Sequence, residues 1–318
     1  MAGEKPKVVV VGGSYIDLAL RCEEVPHAGH CVCGAELCYS VSGPGPHQAV
    51  QAVHCGCEVH LVSKLGGDPF GSLLRGTLDQ YGVNTDYVST AEAMNTGVYV
   101  TLVNAAGENA ACHVAGANNA MQVRDIEAAE AVIADAAVCL IHGQLPQDTI
   151  VAVLRCAEVH GTTVILNPVR PLSGTAEAAD AVPMEYFSAD IVIPNLYEAA
   201  DMADQVNVSI RTAKMIGSDL VARGVKHAVI TMGRRGCMLV DRNGADHVPA
   251  FAVEAVDHTC RGDAFAGALA AYCAVGGTMR EAVEFAAAAG ALACTRFGSI
   301  ESLPSKADII ELLQKDSL

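Results

Sequence analysis

The 318-residue chain reads as an α/β protein built on a doubly wound, mostly parallel sheet. Three observations predict this. Residues 7–11 form a Lys-Val-Val-Val-Val run that stops at Gly12-Gly13, the pattern of a parallel strand buried on both faces and ending at a crevice. From residue 124 onward, helical and strand patterns alternate, which builds right-handed βαβ units. The composition, 51% hydrophobic with 30 Gly and no Trp, supplies small and branched side chains that let helices lie close on a sheet. No repeat, low-complexity tract or linker marks a second unit, so one domain over residues 1–318 is expected.

Taken in order, residues 18–42 read as short, irregular strands punctuated by Pro26, Gly29 and Gly34. Ser42-Gly43-Pro44-Gly45-Pro46-His47 then opens a helix, because Pro suits the first turn and glycines let the backbone approach a ligand closely. The same residues equally make a simple strand-to-helix turn. A strand over 58–63 and a helix over 70–81 follow. Residues 96–103 and 110–113, around a turn at 104–107, form a second pair of short strands that join residues 18–42 in a small separate sheet. Next come a helix to about 134, a strand over 137–141, a helix over 148–160, and strands over 163–166, 190–193 and 227–231. Branched residues at 251–256 read as a strand leading into a long small-residue helix that begins at Gly262-Asp263.

Charge and cysteines exclude several classes. A net charge of −16 argues against a nucleic-acid footprint, which needs clustered Lys and Arg. The apolar stretch 264–277 is shorter than the roughly 18 to 20 residues a membrane span needs, so it reads as a buried helix. Thirteen cysteines are odd in number, scattered and mostly within apolar segments, and residues 1–7 lack a signal-peptide core; reduced thiols in the cytoplasm are expected. His27, His30, Cys31, Cys33, His54, Cys55, Cys57 and His60 do not have the spacing of a structural zinc site.

The chemistry converges on Val256-Asp257-His258-Thr259-Cys260-Arg261-Gly262-Asp263. A loop running into a helix start points unpaired N–H groups forward, and such an end attracts anions, phosphoryl groups above all. Asp263 at that end is placed to take a proton from an attacking hydroxyl, although Asp also caps helices there. Several other strands end in polar residues where doubly wound sheets bind ligands: Asn167-Pro168, Asn195-Leu196-Tyr197-Glu198 and Thr231-Met232-Gly233. Asn195 and Glu198 at i, i+3 suit a hydrated Mg²⁺ and equally suit a capping box. Asp17 follows the first strand as a lone carboxylate, read either as a turn residue or as a site residue. Gly12-Gly13 lacks the third glycine of a dinucleotide fingerprint, which disfavours an oxidoreductase.

With these segments in this order, and with Val114-Ala115-Gly116-Ala117-Asn118, Thr96-Gly97-Val98, residues 104–109 and Thr295-Arg296-Phe297-Gly298, the chain resembles the ribokinase-like carbohydrate kinases of the phosphofructokinase-B family over residues 7–313, with the ribokinase branch nearest. The resemblance implies a three-layer αβα fold with a small β-sheet lid from residues 18–42 and 95–115. It implies an ATP-dependent sugar kinase that uses Mg²⁺ and K⁺, with a homodimer through the lid. Asp263 would be the catalytic base, and the amides of Arg261, Gly262 and Asp263, with Cys260 before them, would form the anion hole. Asp17, Gly43, Pro44, Gly45, His47 and Gln144 would bind sugar. Asn195, Thr231, Gly233 and Gly262 would bind nucleotide, Asn195 and Glu198 would order Mg²⁺, and Asp257, Thr259, Gly298 and Ser302 would hold the monovalent cation. Five departures stand out: Ser42 and Pro44 in the glycine motif, His47 for an Asn, Gln144 for a Glu, Cys260-Arg261 for small residues, and Ala287 near the adenine where a polar residue is common. They leave phosphoryl transfer mostly intact and change the sugar pocket. A nucleoside kinase or a weakly catalytic sugar- or nucleotide-binding relative are the competing readings, the latter if Arg261 plugs the anion hole.

Overall fold

The computed structural model describes residues 4–104, 109–169, 182–205 and 209–316. In chain order the first elements are β1 (Lys7–Val11), β2 (Tyr15–Cys22), β3 (Gly34–Ser42), α1 (Pro44–His54), β4 (Glu58–Gly66), α2 (Pro69–Gln80), β5 (Val88–Ala91), β6 (Gly97–Val103) and β7 (Asn109–Val114). Then follow α3 (Val123–Ala128), α4 (Glu130–Asp135), β8 (Val138–His142), α5 (Gln147–His160), β9 (Thr163–Asn167), β10 (Ile191–Val192), α6 (Leu196–Met202) and α7 (Ile210–Arg223). The chain closes with β11 (His227–Thr231), β12 (Cys237–Asp241), β13 (Gly244–Val248), α8 (Arg261–Ala274), α9 (Met279–Ala293) and α10 (Lys306–Asp316).

Nine strands form the main sheet in the order β13-β12-β11-β10-β9-β8-β1-β4-β5. All neighbours are parallel except β11-β12 and β12-β13, which form an antiparallel edge. Side chains alternate across a strand, so the β1 valines serve two cores. Val8 and Val10 pack in the layer built by α1, α2, α8, α9 and α10, whereas Val9 and Val11 pack with α3 to α7. This is the three-layer αβα arrangement. Strand order reverses at β1, where β4 lies on one side and β8 on the other; a crevice at such a reversal, beyond the strand C-terminal ends, is where open α/β sheets bind ligands.

The small sheet has the order β3-β2-β6-β7. Its strands are longer and more regular than expected, and it starts at Tyr15, before residue 18. The reason is register: Tyr15 to Arg21 pair without interruption with Gly97 to Val103, so β2 continues straight out of the β1 turn. One face carries Asp17 and Tyr99, and the other leaves Leu37, Tyr39 and Val114 exposed. Two polar clasps fix this lid to the body. Asp68, which caps α2 by accepting from the Gly71 amide, also accepts from the Thr96 amide at 2.8 Å and from Thr96 Oγ1 at 2.7 Å. Buried Asn118 accepts from the Ser14 amide and donates to the carbonyls of Ser14 and Ala115, each at 2.8 Å.

Three expectations are corrected. Residues 251–256 are not a strand: past β13 the chain leaves the edge of the sheet and lines a cavity instead. The single helix expected up to about 134 is two short ones, α3 and α4, broken at Ala129, whose φ of −97° and ψ of 0° leave the helical region. The long small-residue helix expected from Gly262-Asp263 begins at Arg261, with Cys260 at its N-cap. Residues 105–107 of the expected turn at 104–107 lie outside the described residues. The cysteines are free, no group of metal ligands gathers among the described residues, and no described helix is long and apolar enough to cross a membrane.

Where β1 ends, backbone meets backbone. The Gly45 amide donates to the Gly13 carbonyl at 3.0 Å, and a Cβ on Gly12 would lie 2.8 Å from Gly45 Cα. The glycines at both places therefore serve the close approach of α1 to the end of β1. Gly12→Ala is expected to lower stability by about 1–3 kcal/mol through overpacking against main-chain atoms that cannot rotate away. A urea titration checks this, with a lower midpoint and an unchanged slope as the expected result.

Candidate active site

The first turn of α8 is built as an anion site. No side chain caps it from Cys260, so the leading amides stay available, and open space stands where a Gly262 Cβ would be. In front lies a cavity of ≈ 610 Å³ lined by Asp263, Gly262 and Arg261, by Asn195 and Glu198 at the start of α6, and by Thr231 and Gly233 after β11. Thr259 and Ala287 also line it, as do Phe251 and Ala252 from the segment that left the sheet. The cavity thus brings together Asn195, Thr231, Gly233 and Gly262, the residues expected from the sequence to bind nucleotide. Arg261 is exposed and lines the cavity wall.

Asp263 closes the cavity floor and faces a second group of residues behind it. Its Oδ2 lies 3.0 Å from His47 Nδ1, and its Oδ1 accepts from Gln48 Nε2 at 2.9 Å. The far nitrogen of His47 lies 2.6 Å from Ser299 Oγ. Burial favours the neutral acid at Asp263, but the bond to His47, the His47 charge and the Gln48 bond outweigh it and hold the carboxyl below the usual range. Cys260 is buried, with Sγ 3.6 and 3.8 Å from the two His47 nitrogens.

On the lid side, Asp17 sits half-buried on β2, opposite Tyr99 on β6. Its hydrogen-bond partner among the described residues is Thr101 Oγ1, at 3.5 Å. Burial raises its pKa, against the Thr101 bond and the His47 charge. A carboxylate so poorly served by protein donors is suited to ligand hydroxyls. Gln144 donates from Nε2 to Tyr99 Oη at 3.1 Å, and Tyr99 stacks on His113 with centroids 5.0 Å apart. Gly43, Pro44 and Gly45 are buried, packed against the end of β1.

Asn195 and Glu198 form the capping box: Asn195 Oδ1 accepts from the amides of Tyr197 and Glu198 at 2.9 and 3.0 Å, and Glu198 Oε2 accepts from the Asn195 amide at 2.8 Å. Glu198 Oε1 is left over. Burial pushes the Glu198 carboxyl up to about 7, despite the Asn195 bond, and no Lys or Arg pairs with it among the described residues. An uncompensated carboxylate at a phosphate-sized cavity fits a hydrated divalent cation.

Asp257 ties two loops together beneath α8. Its Oδ1 accepts from the Thr259 amide at 2.9 Å and from Thr259 Oγ1 at 2.5 Å, and its Oδ2 accepts from the Gly298 amide at 3.2 Å. Thr259 and Gly298 are thus brought to Asp257, three of the four residues that the resemblance groups around a monovalent cation. Ser302 does not: its Oγ donates to the Ser299 carbonyl at 2.8 Å.

Sequence reasoning missed His142, Gln48, Tyr99 and Ser299. His142 ends β8 and lines the cavity; the rule that ligands gather at strand C-terminal ends points to it. The Gln144 amide donates to its Nδ1 at 3.2 Å, so the proton sits on Nε2, and burial pushes the ring down to about 4 against the pull of Asp263. It is a neutral donor near Asp263.

Residues 5–306 match the sequence profile of the pfkB family carbohydrate kinase. The chain is 28% identical to the deoxyribokinase of Salmonella typhi over 94% of its own length and 95% of the relative's. It is 30% identical to the ribokinase of Schizosaccharomyces pombe, with 95% and 96% covered. The fold superposes on Arabidopsis thaliana ribokinase in complex with ribose and ATP with a TM-score of 0.86, at 26% identity over 98% of this chain and 99% of the other. Sequence profile, relatives and superposed fold agree with the lid, the cleft and the uncapped helix end: the chain belongs to the pfkB family of carbohydrate kinases.

Proposed function

We propose that Asp263 is the base of this ATP-dependent sugar kinase, and that the sugar lies between the lid and Asp263 while the nucleotide fills the cavity in front of α8. The observation that carries the reading is the position of Asp263, which lines the cavity and touches the residues on its sugar side. A sugar hydroxyl gives its proton to Asp263 as its oxygen attacks the γ-phosphorus. The bond to the β,γ-bridging oxygen breaks, and ADP leaves. Negative charge on the transferring group falls on the amides of Arg261, Gly262 and Asp263 and on the Arg261 guanidinium, which cost no reorganisation at that moment. His142 adds a neutral N–H nearby. Thr231 and Gly233 border the nucleotide.

Glu198 and Asn195 would hold the hydration shell of Mg²⁺, whose charge offsets that of the phosphates. Asp257, with Thr259 and Gly298, would supply the anionic side of a K⁺ site beneath the loop that carries Cys260 and Arg261. The open space beside Gly262 and the exposure of Arg261 support an active anion hole over a plugged one. The sugar pocket supports a substrate other than ribose, because His47 spends both ring nitrogens within the protein and Gln144 spends its amide N–H on Tyr99. A site that loses hydrogen-bond partners loses discrimination by factors of roughly 10⁴.

Asp263→Asn is expected to lower kcat by about 10² to 10⁴ while nucleotide affinity changes little, measured by coupled ADP release and by calorimetric titration. More than a tenth of wild-type kcat would remove Asp263 from the role. In a screen of pentoses, deoxypentoses, ketoses, sugar acids and nucleosides, ribose is expected not to give the highest kcat/KM. Asp17→Ala is expected to reduce kcat/KM at least about tenfold on the best substrate, the scale of a charged hydrogen bond. Exchange of Na⁺ for K⁺ at constant ionic strength is expected to raise turnover, and equal rates in both salts would count against the cation site.

A further inference from the structure

We propose that His47 is a positioning residue, an imidazolium that holds Asp263 ionised and aimed at the cleft rather than a ligand of the sugar. The proposal rests on the reading of Asp263 as the base. Its first support is the direction of the hydrogen bonds. Ser299 has one hydroxyl proton, and that proton goes to the Val41 carbonyl at 3.0 Å. Its oxygen can therefore only accept from His47 Nε2 at 2.6 Å, which places a proton on Nε2.

The other nitrogen, Nδ1, faces Asp263 Oδ2 at 3.0 Å, and one proton must lie between them. Asp263 already accepts an amide N–H from Gln48 on Oδ1. Two donors on one carboxylate favour the ionised form, so the shared proton belongs to Nδ1 and the ring carries both protons. The titratable groups facing the ring are Asp263 and Cys260 at the start of α8 and Asp17 on β2; His142 faces Asp263. Burial opposes charge on His47, but Asp263 and Cys260 outweigh it and push the ring up to about 10.

The ring is 3% exposed and clamped at both nitrogens, so it cannot swing to a sugar hydroxyl without breaking the bonds that orient the base. What it does instead is set the acid side of the pH profile. A buried carboxyl without a cation rises in pKa, whereas a neighbouring opposite charge lowers it by roughly 1 to 3 units. Removing the imidazolium therefore moves the ionisation that the base requires to higher pH.

The test has two readouts. In ¹⁵N–¹H spectra of the imidazole nitrogens of the wild-type protein at pH 8, both His47 nitrogens are expected in the protonated range, and in Asp263→Asn the ring is expected to become neutral at that pH. Assigned on the whole chain without substrate, this reads His47 whether or not any sugar is turned over. A His47 with one bare nitrogen at pH 8 in the wild type overturns the proposal. In the second readout, His47→Asn and His47→Gln are expected to shift the acid limb of kcat/KM upward by about 1 to 3 pH units relative to wild type. A uniform loss of rate with the limb unmoved would leave His47 a packing residue and also overturn the proposal. If wild-type protein phosphorylates no sugar, the kinase reading fails on its own, and the imidazole spectrum still decides the protonation of His47.

Discussion

The catalytic cleft depends on how closely α1 and α8 approach each other. A Cβ on Gly267 would stand 2.5 Å from the Gln48 carbonyl oxygen and 2.7 Å from Gln51 Cβ, so the helices meet almost main chain to main chain. Eight successive residues of α8, Ala264 to Ala271, are buried, and five of them are alanines, so small side chains dominate its contacts with neighbouring elements. Helices carrying ordinary side chains pack with axes about 8–10 Å apart. Close contact is what brings His47 and Gln48, in the first turn of α1, within hydrogen-bonding distance of a carboxylate in the first turn of α8. The many small residues in the composition thus have a direct use in the chemistry.

Around this contact the charge is arranged against the trend of the whole molecule. The chain carries a net −16, yet the cleft gathers the positive end of α8, the Arg261 and Arg234 side chains at the cavity wall and the His47 imidazolium behind the base. The carboxylates nearby are separated by function: Asp263 is compensated by His47, Glu198 by a backbone amide alone, and Asp257 by donors from two loops. A chain of net negative charge with a local cationic pocket retains a place for a small phosphate. That combination suits a small-molecule phosphoryl donor.

Much of this was legible in the sequence, and the rest was not for identifiable reasons. The run before Gly12 declared a buried parallel strand because only such a strand is apolar on both faces, and the polar residues after β10, β11 and before α8 marked the crevice end of the sheet. Residues 251–256 read as a strand because branched side chains favour extended backbone; nothing local says that the sheet has ended at β13 and that the chain lines a cavity instead. Asn195 and Glu198 left two readings open, and the structure realises the capping box with one Glu198 oxygen to spare. His47 was noticed as a departure, but its partners lie far away in sequence, and Ser299 had no pattern to distinguish it. Ser302, grouped with the cation site by resemblance, turns to a carbonyl of its own loop. A side chain's choice between neighbours a few ångströms apart leaves no periodicity to read.

The base and its partners are joined across most of the chain. Asp263 is separated from His47 by 216 residues and from Gln48 by 215, while Ser299 reaches back 252 residues to His47 and 258 to Val41. Contacts of this separation must await closure of very long loops, and chains rich in them fold slowly. During synthesis α1 emerges with the partner of His47 and Gln48 still untranslated, so His47 waits without its counter-ion until α8 arrives. The nascent kinase therefore stays incompetent until the final fifth of its length has been added, and a truncated product has a lid and a sheet edge but no assembled centre with which to consume nucleotide.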